Sequence, residues 1–332
     1  MPATIALAGD TMLGRGVAER VARSVDPAAF FSEDLLEVLG EADLFVLNLE
    51  CCVSDRGRMW DAPGKPFHFR APPQAAELLA RLGVGCVTLA NNHALDYGPD
   101  ALLDTRDWLD RSGIRYVGAG ASQEEARRPE VVTVGGLRVG VLGVTDHPAD
   151  FAATAVRPGV NYADLMTGAP PWLVADVEDL GTKADVVVVT PHWGPNMIGR
   201  PRPYVRSAAQ SLVSAGAGLV AGHSAHVFHG VAPPVLYDLG DFIDDYIVDA
   251  ELRNDLGLLF LVTVDEQGPV RLHGVPIELL YCRTRLAHGD EWRWIRDRFA
   301  AVCAGLAPTG PGAPDQGGTV TEEDGRLVVD MR

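Results

Sequence analysis

An α/β fold is predicted by the length of the chain, its ordinary composition and its alternation of strand and helix patterns. The chain has 332 residues, of which 47% are hydrophobic and 22% are charged. These proportions are normal for a folded globular protein. Short β-branched runs alternate with amphipathic segments along most of the sequence, which is typical of a sheet covered by helices. We expect about two domains or one large α/β unit.

The first third of the chain repeats a strand and helix pattern three times. Strands are predicted over 4–8, 44–47, 86–89 and 115–117, and helices over 27–39, 72–82 and 98–110. Gly83 and Gly113 follow the second and third of these helices, and glycine at this position commonly ends a helix. The repeated pattern indicates βα units.

A predicted β-hairpin interrupts this rhythm. Two β-branched runs, 131–134 and 137–144, flank Gly135-Gly136, a dipeptide typical of a two-residue hairpin turn. Further strands are predicted over 185–189, 218–221, 235–237, 258–264 and 270–280, with helices over 172–180, 204–215 and 291–306. The hairpin indicates a second sheet or a mixed sheet.

The end of the chain differs in composition from the rest. Residues 307–318 are dense in proline and glycine and have no apolar period, as in a mobile linker. A short strand is predicted at 326–329. We expect a single domain over residues 1–306, followed by a linker and short tail over 307–332.

Charge and cysteine usage limit the expected partners and location. The chain has 28 Lys and Arg against 45 Asp and Glu, a net charge of −17, which repels nucleic acid and anionic lipid. An anionic substrate would then require a local reversal of the field, for which a divalent cation is a common means. Five cysteines form no disulfide spacing, and no signal sequence or membrane-length apolar run is seen. We expect a cytoplasmic protein with no membrane anchor and no nucleic-acid partner.

Metal-capable side chains follow the predicted strands one after another. They are Asp10, Glu50, Asn92, His93, His192, His223 and His226. Each alone has an ordinary explanation as a cap, a solvated carboxylate or a hydrogen-bonded loop histidine. Because the carboxyl ends of parallel strands face one crevice, their recurrence favours a metal site. Histidines without this pattern include His147, His229, His273 and His288.

The donor types indicate which metal and which chemistry to expect. Carboxylates, an amide oxygen and several imidazoles suit Mn²⁺, Fe or Zn²⁺. Two divalent ions are the natural number, since paired ions activate water and clamp the oxygens of a displacement. Glu50 is the candidate bridge between them. His93 is a candidate general acid, and Asp96 lies three residues later, where it can orient the imidazole.

Several motifs in order resemble the CapA family, the poly-γ-glutamate capsule biosynthesis proteins. They are Ala8-Gly9-Asp10-Thr11-Met12-Leu13-Gly14-Arg15, Asn48-Leu49-Glu50, Lys65-Pro66-Phe67-His68-Phe69-Arg70, Leu89-Ala90-Asn91-Asn92-His93-Ala94-Leu95-Asp96, His192-Trp193-Gly194, Gly222-His223-Ser224-Ala225-His226-Val227 and Leu239-Gly240-Asp241-Phe242. This family is similar to the calcineurin-like metallophosphoesterases. The resemblance spans about residues 4–242 and implies a four-layered α/β/β/α sandwich with a dinuclear metal centre.

The resemblance also implies how the ligands divide between two ions. They are Asp10 and His226 for the first ion, Glu50 as the bridge, and Asn92, His192 and His223 for the second. Met12 stands where the phosphoesterase pattern has a histidine, which implies a weakly held first ion. Arg15, Lys65 and Arg70 fit contacts to a small anionic substrate, although solvent-facing arginine is a common alternative.

Three departures from the family pattern bear on the substrate. Asn196-Met197 stands where the family commonly has Glu-Tyr, Ser224-Ala225 where it has His-Pro, and Asp241 where it has Asn. The departures leave the metal ligands intact and change residues expected to face the substrate. They therefore leave the identity of the substrate open.

Three further groups of residues have both an ordinary and a functional interpretation. Cys51 and Cys52 follow Glu50 and are expected to be small buried thiols rather than reactive ones. Aromatic residues of one long loop line the site or pack in the core: Trp60, Phe67 and Phe69. A solvated acidic face is favoured over a second site for the carboxylates Asp238, Asp241, Asp244, Asp245 and Asp249.

Three functions are compatible with these observations. The first is a metal-dependent hydrolase acting on a phosphoester or a γ-glutamyl-type amide, with metal-activated water as nucleophile and His93 as proton donor. The second is an amide-forming or group-transfer enzyme of a biosynthetic pathway with partner enzymes, although no P-loop motif is present. The third is a non-catalytic metal-binding scaffold. We expect the first.

Overall fold

Two large β-sheets form the centre of the protein. The structure is a computed structural model that describes residues 2–61, 64–306 and 317–332. Its strands are β1 (Ala3–Thr11), β2 (Leu44–Leu49), β3 (Cys52–Val53), β4 (Arg70–Ala71), β5 (Cys86–Thr88), β6 (Arg115–Val117), β7 (Ala119–Gly120), β8 (Glu130–Val134), β9 (Leu137–Thr145), β10 (Gly159–Val160), β11 (Val186–His192), β12 (Leu219–Ala221), β13 (Val231–Ala232), β14 (Val235–Leu236), β15 (Asp241–Ile243), β16 (Leu256–Asp265), β17 (Gly268–Leu280), β18 (Arg283–Leu286), β19 (Thr321–Glu323) and β20 (Arg326–Asp330).

Helices lie between the strands as the βα rhythm predicts. The α-helices are α1 (Arg15–Val21), α2 (Glu33–Leu39), α3 (Gln74–Arg81), α4 (Gly98–Arg111), α5 (Gln123–Ala126), α6 (Pro171–Gly181), α7 (Pro203–Ser214) and α8 (Gly289–Ala304), with single 3₁₀ turns at Pro27–Ala29 and Ala149–Phe151. None of the helices in the described parts of the chain is long and apolar enough to cross a membrane.

Each sheet has a parallel part that holds the strand ends of interest. The first sheet has ten strands, and its main order is β19-β20-β17-β16-β1-β2-β5-β6, with β1, β2, β5 and β6 parallel. The second has six strands in the order β13-β14-β12-β11-β9-β8, with β9, β11, β12 and β14 parallel. The parallel parts of both sheets therefore supply the strand ends that carry the predicted ligands.

Alternating side chains produce the layers of the fold. In β1, Ala6 and Ala8 pack with helices α1 to α4, whereas Ile5 and Leu7 pack between the two sheets. The second sheet repeats this pattern with its other face packed against α6 and α7. Because successive residues of a strand point to opposite faces, both sheets are covered on both sides. The four-layered α/β/β/α sandwich is confirmed.

The predicted helix over 27–39 is wrong in its extent. A 3₁₀ turn begins at Pro27 and is capped by the Asp26 carboxylate, which accepts a hydrogen bond from the Ala28 N–H. The backbone then bridges to a neighbouring strand at Phe31, so helix α2 starts only after Ser32. Helix α1, a short helix directly after Gly14, was not predicted because only two of its residues are buried.

The predicted hairpin and the C-terminal strand are both confirmed. Gly135 and Gly136 join β8 to β9 with φ of +57° and +88°, as a turn with two positive φ angles requires. These strands belong to the six-stranded sheet. Strand β20 pairs with β17 and with the edge strand β19 of the ten-stranded sheet, so the end of the chain joins the main fold. Most of the predicted linker, 307–316, lies outside the described residues.

The cysteines are buried thiols, as expected. All five are free and buried. Burial raises the pKa of Cys51 to about 12, and burial with the neighbouring thiol also raises that of Cys52. A thiol with a raised pKa is protonated at neutral pH and is a poor nucleophile.

Candidate metal centre

The carboxyl ends of strands from both sheets meet at one buried site. Asp10 is near the end of β1 and pairs in register with Asp241, the first residue of β15. Glu50 directly follows β2. On the other sheet, His192 ends β11 and forms a bridge with His223, two residues after β12. The predicted convergence of strand ends is therefore observed across two sheets.

Four side chains form the centre of this site. The ligand atoms of Asp10, Glu50, His226 and Asp241 all lie within 4.8 Å of one another. His226 Nδ1 is 2.8 Å from Asp241 Oδ1, 3.4 Å from Asp10 Oδ2 and 3.9 Å from Glu50 Oε2. All four residues are buried. The cluster is compact enough to surround a metal ion.

The remaining predicted histidines extend the cluster on either side. His192 Nε2 lies 4.0 Å from Glu50 Oε1, and His223 Nδ1 lies 3.3 Å from Asp10 Oδ1. The Asn92 side-chain oxygen is also buried, beside His93 in a neighbouring cleft. The structure thus brings the predicted histidine and carboxylate ligands into one cluster and places Asn92 in the wall of the neighbouring cleft.

Unpartnered atoms test whether these residues fit a metal. Buried atoms without a hydrogen-bond partner in the described parts of the chain include both Glu50 carboxylate oxygens, Asn92 Oδ1, His192 Nε2, His223 Nδ1 and Asp241 Oδ2. Buried polar atoms are rarely left without a partner, because each costs about 1–3 kcal/mol. Oxygen and imidazole donors of this kind suit divalent transition ions. The residues fit a buried divalent-metal site.

Crowding of like charges perturbs the carboxyl groups. Burial and the charge of Asp10 raise the pKa of Glu50 well above its usual value, and burial with Asp244 does the same to Asp241. Burial opposes ionisation of Asp10 as well, but His223, 3.3 Å away, and the other nearby imidazoles lower its pKa below the usual range. A bound cation would relieve this repulsion.

The imidazoles respond in opposite directions to the same surroundings. Burial lowers the pKa of His192 well below its usual value. Burial also disfavours the charged form of His226, but Glu50 and Asp10 outweigh it and raise its pKa. The neighbouring carboxylates therefore favour the charged form of His226, whereas burial favours the neutral form of His192.

The expectation of a solvated acidic face is wrong for three of its five residues. Asp238, Asp241 and Asp244 are buried, because the chain after β14 folds back beside β1 rather than over the surface. The Asp238 carboxylate accepts hydrogen bonds from the N–H groups of Ala225 and Gly240. Asp238 therefore fixes the loop that carries His226, while Asp241 joins the metal cluster.

His93 and Asp96 form a buried pair beside the cluster. His93 Nδ1 lies 2.6 Å from Asp96 Oδ2, and its Nε2 lies 4.0 Å from Glu50 Oε1. The Asp96 carboxylate also accepts a hydrogen bond from the Phe69 N–H at 2.6 Å. Burial lowers the pKa of His93 to about 4, against the opposing hydrogen bond with Asp96. The pair has the geometry expected of an imidazole oriented by a carboxylate.

Two asparagines that the sequence did not single out support the ligands. The Asn48 amide donates to Asp10 Oδ1 at 2.7 Å, and the Asn91 amide donates to Asn48 Oδ1 at 2.9 Å. Asn91 Oδ1 accepts from the His93 N–H at 3.0 Å. Both lie near the ends of β2 and β5 and close to predicted ligands, and these positions could have identified them from the sequence. Such supporting contacts orient metal ligands.

An open cleft of about 540 Å³ lies next to the cluster. Its wall includes Trp60, Phe67 and Phe151, together with Lys65 and His93. Trp60 and Phe67 therefore line the site, which is one of the two possibilities predicted for the aromatic residues of this loop. Phe69 is buried instead, and its ring centroid lies 4.1 Å from that of His93. The cleft gives a substrate access to the His93 side chain.

His147 also lines the cleft, although it lacks the pattern of the predicted ligands. It lies two residues after β9, and its ring centroid is 5.3 Å from that of His192. Its Nδ1 contacts the carboxylate of Asp146, which also accepts hydrogen bonds from Tyr204 Oη at 3.0 Å and the Gly194 N–H at 3.1 Å. Strand β9 ends at Thr145, so the position of His147 just after a strand end was the sequence signal that could have identified it.

The three predicted substrate contacts have different surroundings. Lys65 lies in the cleft, where Nζ is 2.8 Å from Asp96 Oδ1 and donates to the Asn92 carbonyl at 2.7 Å. The Arg15 guanidinium pairs with Asp245 and lies 5.8 Å from the ring centroid of Phe67, at the margin of the cleft.

The structure does not bring Arg70 to the cleft. Its guanidinium lies 4.1 Å from the Tyr97 ring centroid and donates to the Arg56 carbonyl at 3.2 Å. Because Phe69 packs on His93 and adjacent residues of an extended chain point in opposite directions, Arg70 points away. Its predicted role as a substrate contact finds no support in these contacts.

The fold and the site together define a class of protein. A four-layered α/β sandwich with histidines and carboxylates clustered at the carboxyl ends of its strands is a metallophosphoesterase-like fold. The chain belongs to the family described as bacterial capsule synthesis protein PGA_cap, which it matches over residues 4–246. The resemblance to CapA proteins is confirmed.

Two curated relatives and one solved structure are similar to this chain. A probable polyglutamine synthesis accessory protein of Mycobacterium tuberculosis is 30% identical over 359 residues, with 90% of each chain covered. The capsule biosynthesis protein CapA of Bacillus anthracis is 29% identical over 253 residues, covering 73% of this chain and 60% of that protein. A hypothetical protein from Thermus thermophilus is 16% identical with a TM-score of 0.39, covering 85% and 95% of the two chains.

Proposed function

We propose that the protein is a metal-dependent hydrolase that acts on a phosphoester or a γ-glutamyl-type amide. One observation carries the proposal: unpartnered, buried metal-ligand atoms lie beside an imidazole and carboxylate pair at the wall of an open cleft. A structural ion alone would require the ligands but neither the pair nor the cleft. The combination therefore favours catalysis over a scaffold.

Two divalent ions, Mn, Fe or Zn, fit the number of donors. The residues that would hold them are Asp10, Glu50, Asn92, His192, His223 and His226, with Asp241 as an added donor. Glu50 suits the bridging position, because Oε1 is close to His192 and Oε2 is close to His226. When bound, such ions supply Lewis acidity and activate water for attack.

His93 is the proposed proton-transfer residue. Asp96 holds Nδ1, so Nε2 is directed toward Glu50 and the metal cluster. A leaving group bound in the cleft would therefore meet Nε2. Proton transfer to it requires the charged imidazolium, since the neutral ring keeps its proton on the Nδ1 held by Asp96, and a bound anion would favour that charged form. Asp96 acts through His93 and is a positioning residue, and it also draws Lys65 into the cleft.

The proposed substrate is a small anion. The net charge of the chain is −17, so attraction must be local, and Lys65 is the basic side chain in the cleft wall among the described residues. Trp60 and Phe151 provide apolar surface beside it. Such a combination of a fixed charge and aromatic walls is common in small-molecule sites.

An amide-forming or group-transfer reaction is the second candidate. The family description and the names of both curated relatives refer to synthesis. The same site can position a carboxylate or acyl phosphate, with biosynthetic partner enzymes supplying the activated group. The cytoplasmic location expected from the sequence stays a prediction.

Metal content and turnover measured together test the proposal. The protein is incubated with Mn²⁺ or Zn²⁺, desalted and analysed for bound metal, and then screened against phosphoesters and γ-glutamyl amides. We expect about two ions per chain, with metal and turnover both lost in His192→Ala and His223→Ala. His229→Gln changes a buried histidine outside the cluster and should retain both.

Each outcome separates the candidates. Bound metal with hydrolysis supports the proposal, whereas bound metal with product only in the presence of an activated donor supports group transfer. Metal binding without turnover on any substrate, combined with a loss of thermal stability on chelation, would support a scaffold. Absence of metal in the wild-type protein would contradict all three.

A further inference from the structure

A second cavity, of about 730 Å³, lies between helix α8 and the loop that follows β11. Its apolar wall includes Ile198 and Trp294, and its arginines are Arg200, Arg202 and Arg298. The cavity shares no lining residue with the cleft beside the metal cluster. It is therefore a separate candidate site.

Arg298 is the distinctive side chain of this cavity. Its Nε and Nη2 atoms are buried and have no hydrogen-bond partner among the described residues. The guanidinium is held by aromatic rings, 5.5 Å from the centroid of Trp294 and 5.9 Å from that of Phe228. A Cβ at Gly199 would lie 3.1 Å from Nη2, so the glycine leaves this side of the guanidinium clear.

In other arginines of the protein, the Nε and Nη2 side of the guanidinium binds carboxylates. In four ion pairs of the described residues, Nε and Nη2 contact the two oxygens of one carboxylate: Arg56 with Asp104, Arg127 with Asp176, Arg138 with Asp185, and Arg253 with Asp255. This parallel arrangement is the usual way in which arginine binds carboxylate or phosphate. Arg298 has the same edge in place, and no carboxylate of the described residues binds it.

The cavity has an excess of positive charge in an acidic protein. None of its three arginines forms an ion pair with a carboxylate in the described parts of the chain, and Glu251 and Asp297 are the acids of its wall. Asp297 already accepts from Arg296 Nε at 2.9 Å. Burial and the nearby Arg200 lower the pKa of Arg298, as expected for a cation that lacks a counter-ion.

We propose that this cavity binds a small organic anion through a phosphate or carboxylate group. The Nε and Nη2 edge of Arg298 binds two oxygens of the anionic group, and Arg200 and Arg202 add positive charge. The apolar part of the ligand packs on Trp294 and Ile198. This site does not depend on the metal centre.

Calorimetric titration with two probes tests the proposal. Phenylphosphonate and phenylacetate carry the two anionic groups on the same ring, and neither is a hydrolysable ester or amide. We expect one of them to bind the metal-loaded protein and to bind Arg298→Gln at least tenfold more weakly. Arg298→Lys should also bind weakly, because lysine does not present two parallel donors.

A matched control removes the same charge from the same helix. Arg296 is two residues from Arg298, is paired with Asp297, and does not line the cavity. Arg296→Gln should therefore bind the probe within twofold of wild type. A loss in this variant equal to that in Arg298→Gln would show a general charge effect and would overturn the proposal.

Two further variants separate this site from the metal centre and from misfolding. His192→Ala should keep the binding, and its loss there with retention in Arg298→Gln would assign the probe to the metal centre. Gly199→Ala keeps every charge but places a methyl group against Nη2, so it should also weaken binding. Wild-type affinity in Gly199→Ala, or no binding of either probe to the wild-type protein, would overturn the proposal.

Discussion

The metal centre and the arginine cavity both contain buried polar atoms without partners, but the atoms are of opposite kinds. At the metal centre they are carboxylate and amide oxygens and imidazole nitrogens, whereas in the cavity they are guanidinium N–H donors. Acceptor atoms call for a cation and donor atoms for an anion. The chemistry of the unpartnered atoms therefore indicates the charge of the ligand.

The two regions also differ in how the chain forms them. The ligands of the metal centre come from strand ends in two sheets, between Asp10 and Asp241. The cavity is formed by helix α8, the loop after β11, and Glu251 and Leu252 of the segment between β15 and β16. Since strand ends are held by ladders of hydrogen bonds on both sides, we expect the metal centre to tolerate substitution less than the cavity.

Metal removal should give the largest change in stability. It should affect the metal centre and leave the arginine cavity unchanged. A ligand at a thousand times its dissociation constant stabilises the folded state by about 4 kcal/mol. For a chain of this size, whose entropy of unfolding is about 0.7 kcal/mol/K, that corresponds to a decrease in Tm of roughly 6 °C on chelation. Scanning calorimetry with and without a chelator measures this shift.

The control for chelation is a chain that has already lost a ligand. His192→Ala should show no response to the chelator, and probe binding at the arginine cavity should persist in the chelated wild type. An equal response in wild type and His192→Ala would contradict the assignment of these residues as ligands.

Acid should lower the free energy of unfolding through His229, a buried histidine that contacts the loop of the arginine cavity. Its Nε2 donates to the Ile198 carbonyl at 2.7 Å, and burial lowers its pKa to about 4 from 6.5. Above pH 6.5 the group is neutral in both states. Between pH 6.5 and 4 only the unfolded chain binds the proton, so the free energy of unfolding falls by about 3 kcal/mol.

Urea unfolding of wild type and His229→Gln across this pH range isolates the contribution. Between pH 6.5 and 4, the free energy of unfolding of the variant should fall by about 3 kcal/mol less than that of wild type. Parallel curves for the two proteins would show that His229 is protonated in the folded state.

Asp96→Asn should lower turnover by about 10- to 100-fold, as is typical of residues that orient a functional group. The amide keeps the size of the side chain but weakens the hold on His93 Nδ1. Metal content should remain at the wild-type value, because Asp96 acts on His93 and not on the ligands. Turnover and metal analysis of the same preparation check both statements.

Arg298→Met should give the smallest effect and the opposite sign. Removing a partly buried cation that has no counter-ion among the described residues should raise the free energy of unfolding by about 1 kcal/mol. Arg253 lies 5.8 Å from the centroid of the same Trp294 ring but is paired with Asp255. Arg253→Met should therefore destabilise the protein, and chemical denaturation of both variants measures the contrast.

Most of the fold could be predicted because its patterns are local. The alternation in β1 and β9, the glycine turn between β8 and β9, and the glycines after α3 and α4 depend on neighbouring residues. The predicted helix over 27–39 failed because Phe31 is drawn into a bridge with Thr284, more than two hundred positions away.

The sequence by itself determined which residues carry metal-binding groups and that they stand at strand ends, since the order of residues within one strand decides both. Only the tertiary structure decided the rest. Asp241 and His147 reach the site because the sheets bring their segments there, and Arg70 leaves it because its strand turns it away. Arg298 lacks a counter-ion because no described carboxylate folds against it. Partners between distant segments depend on packing, which no local pattern contains.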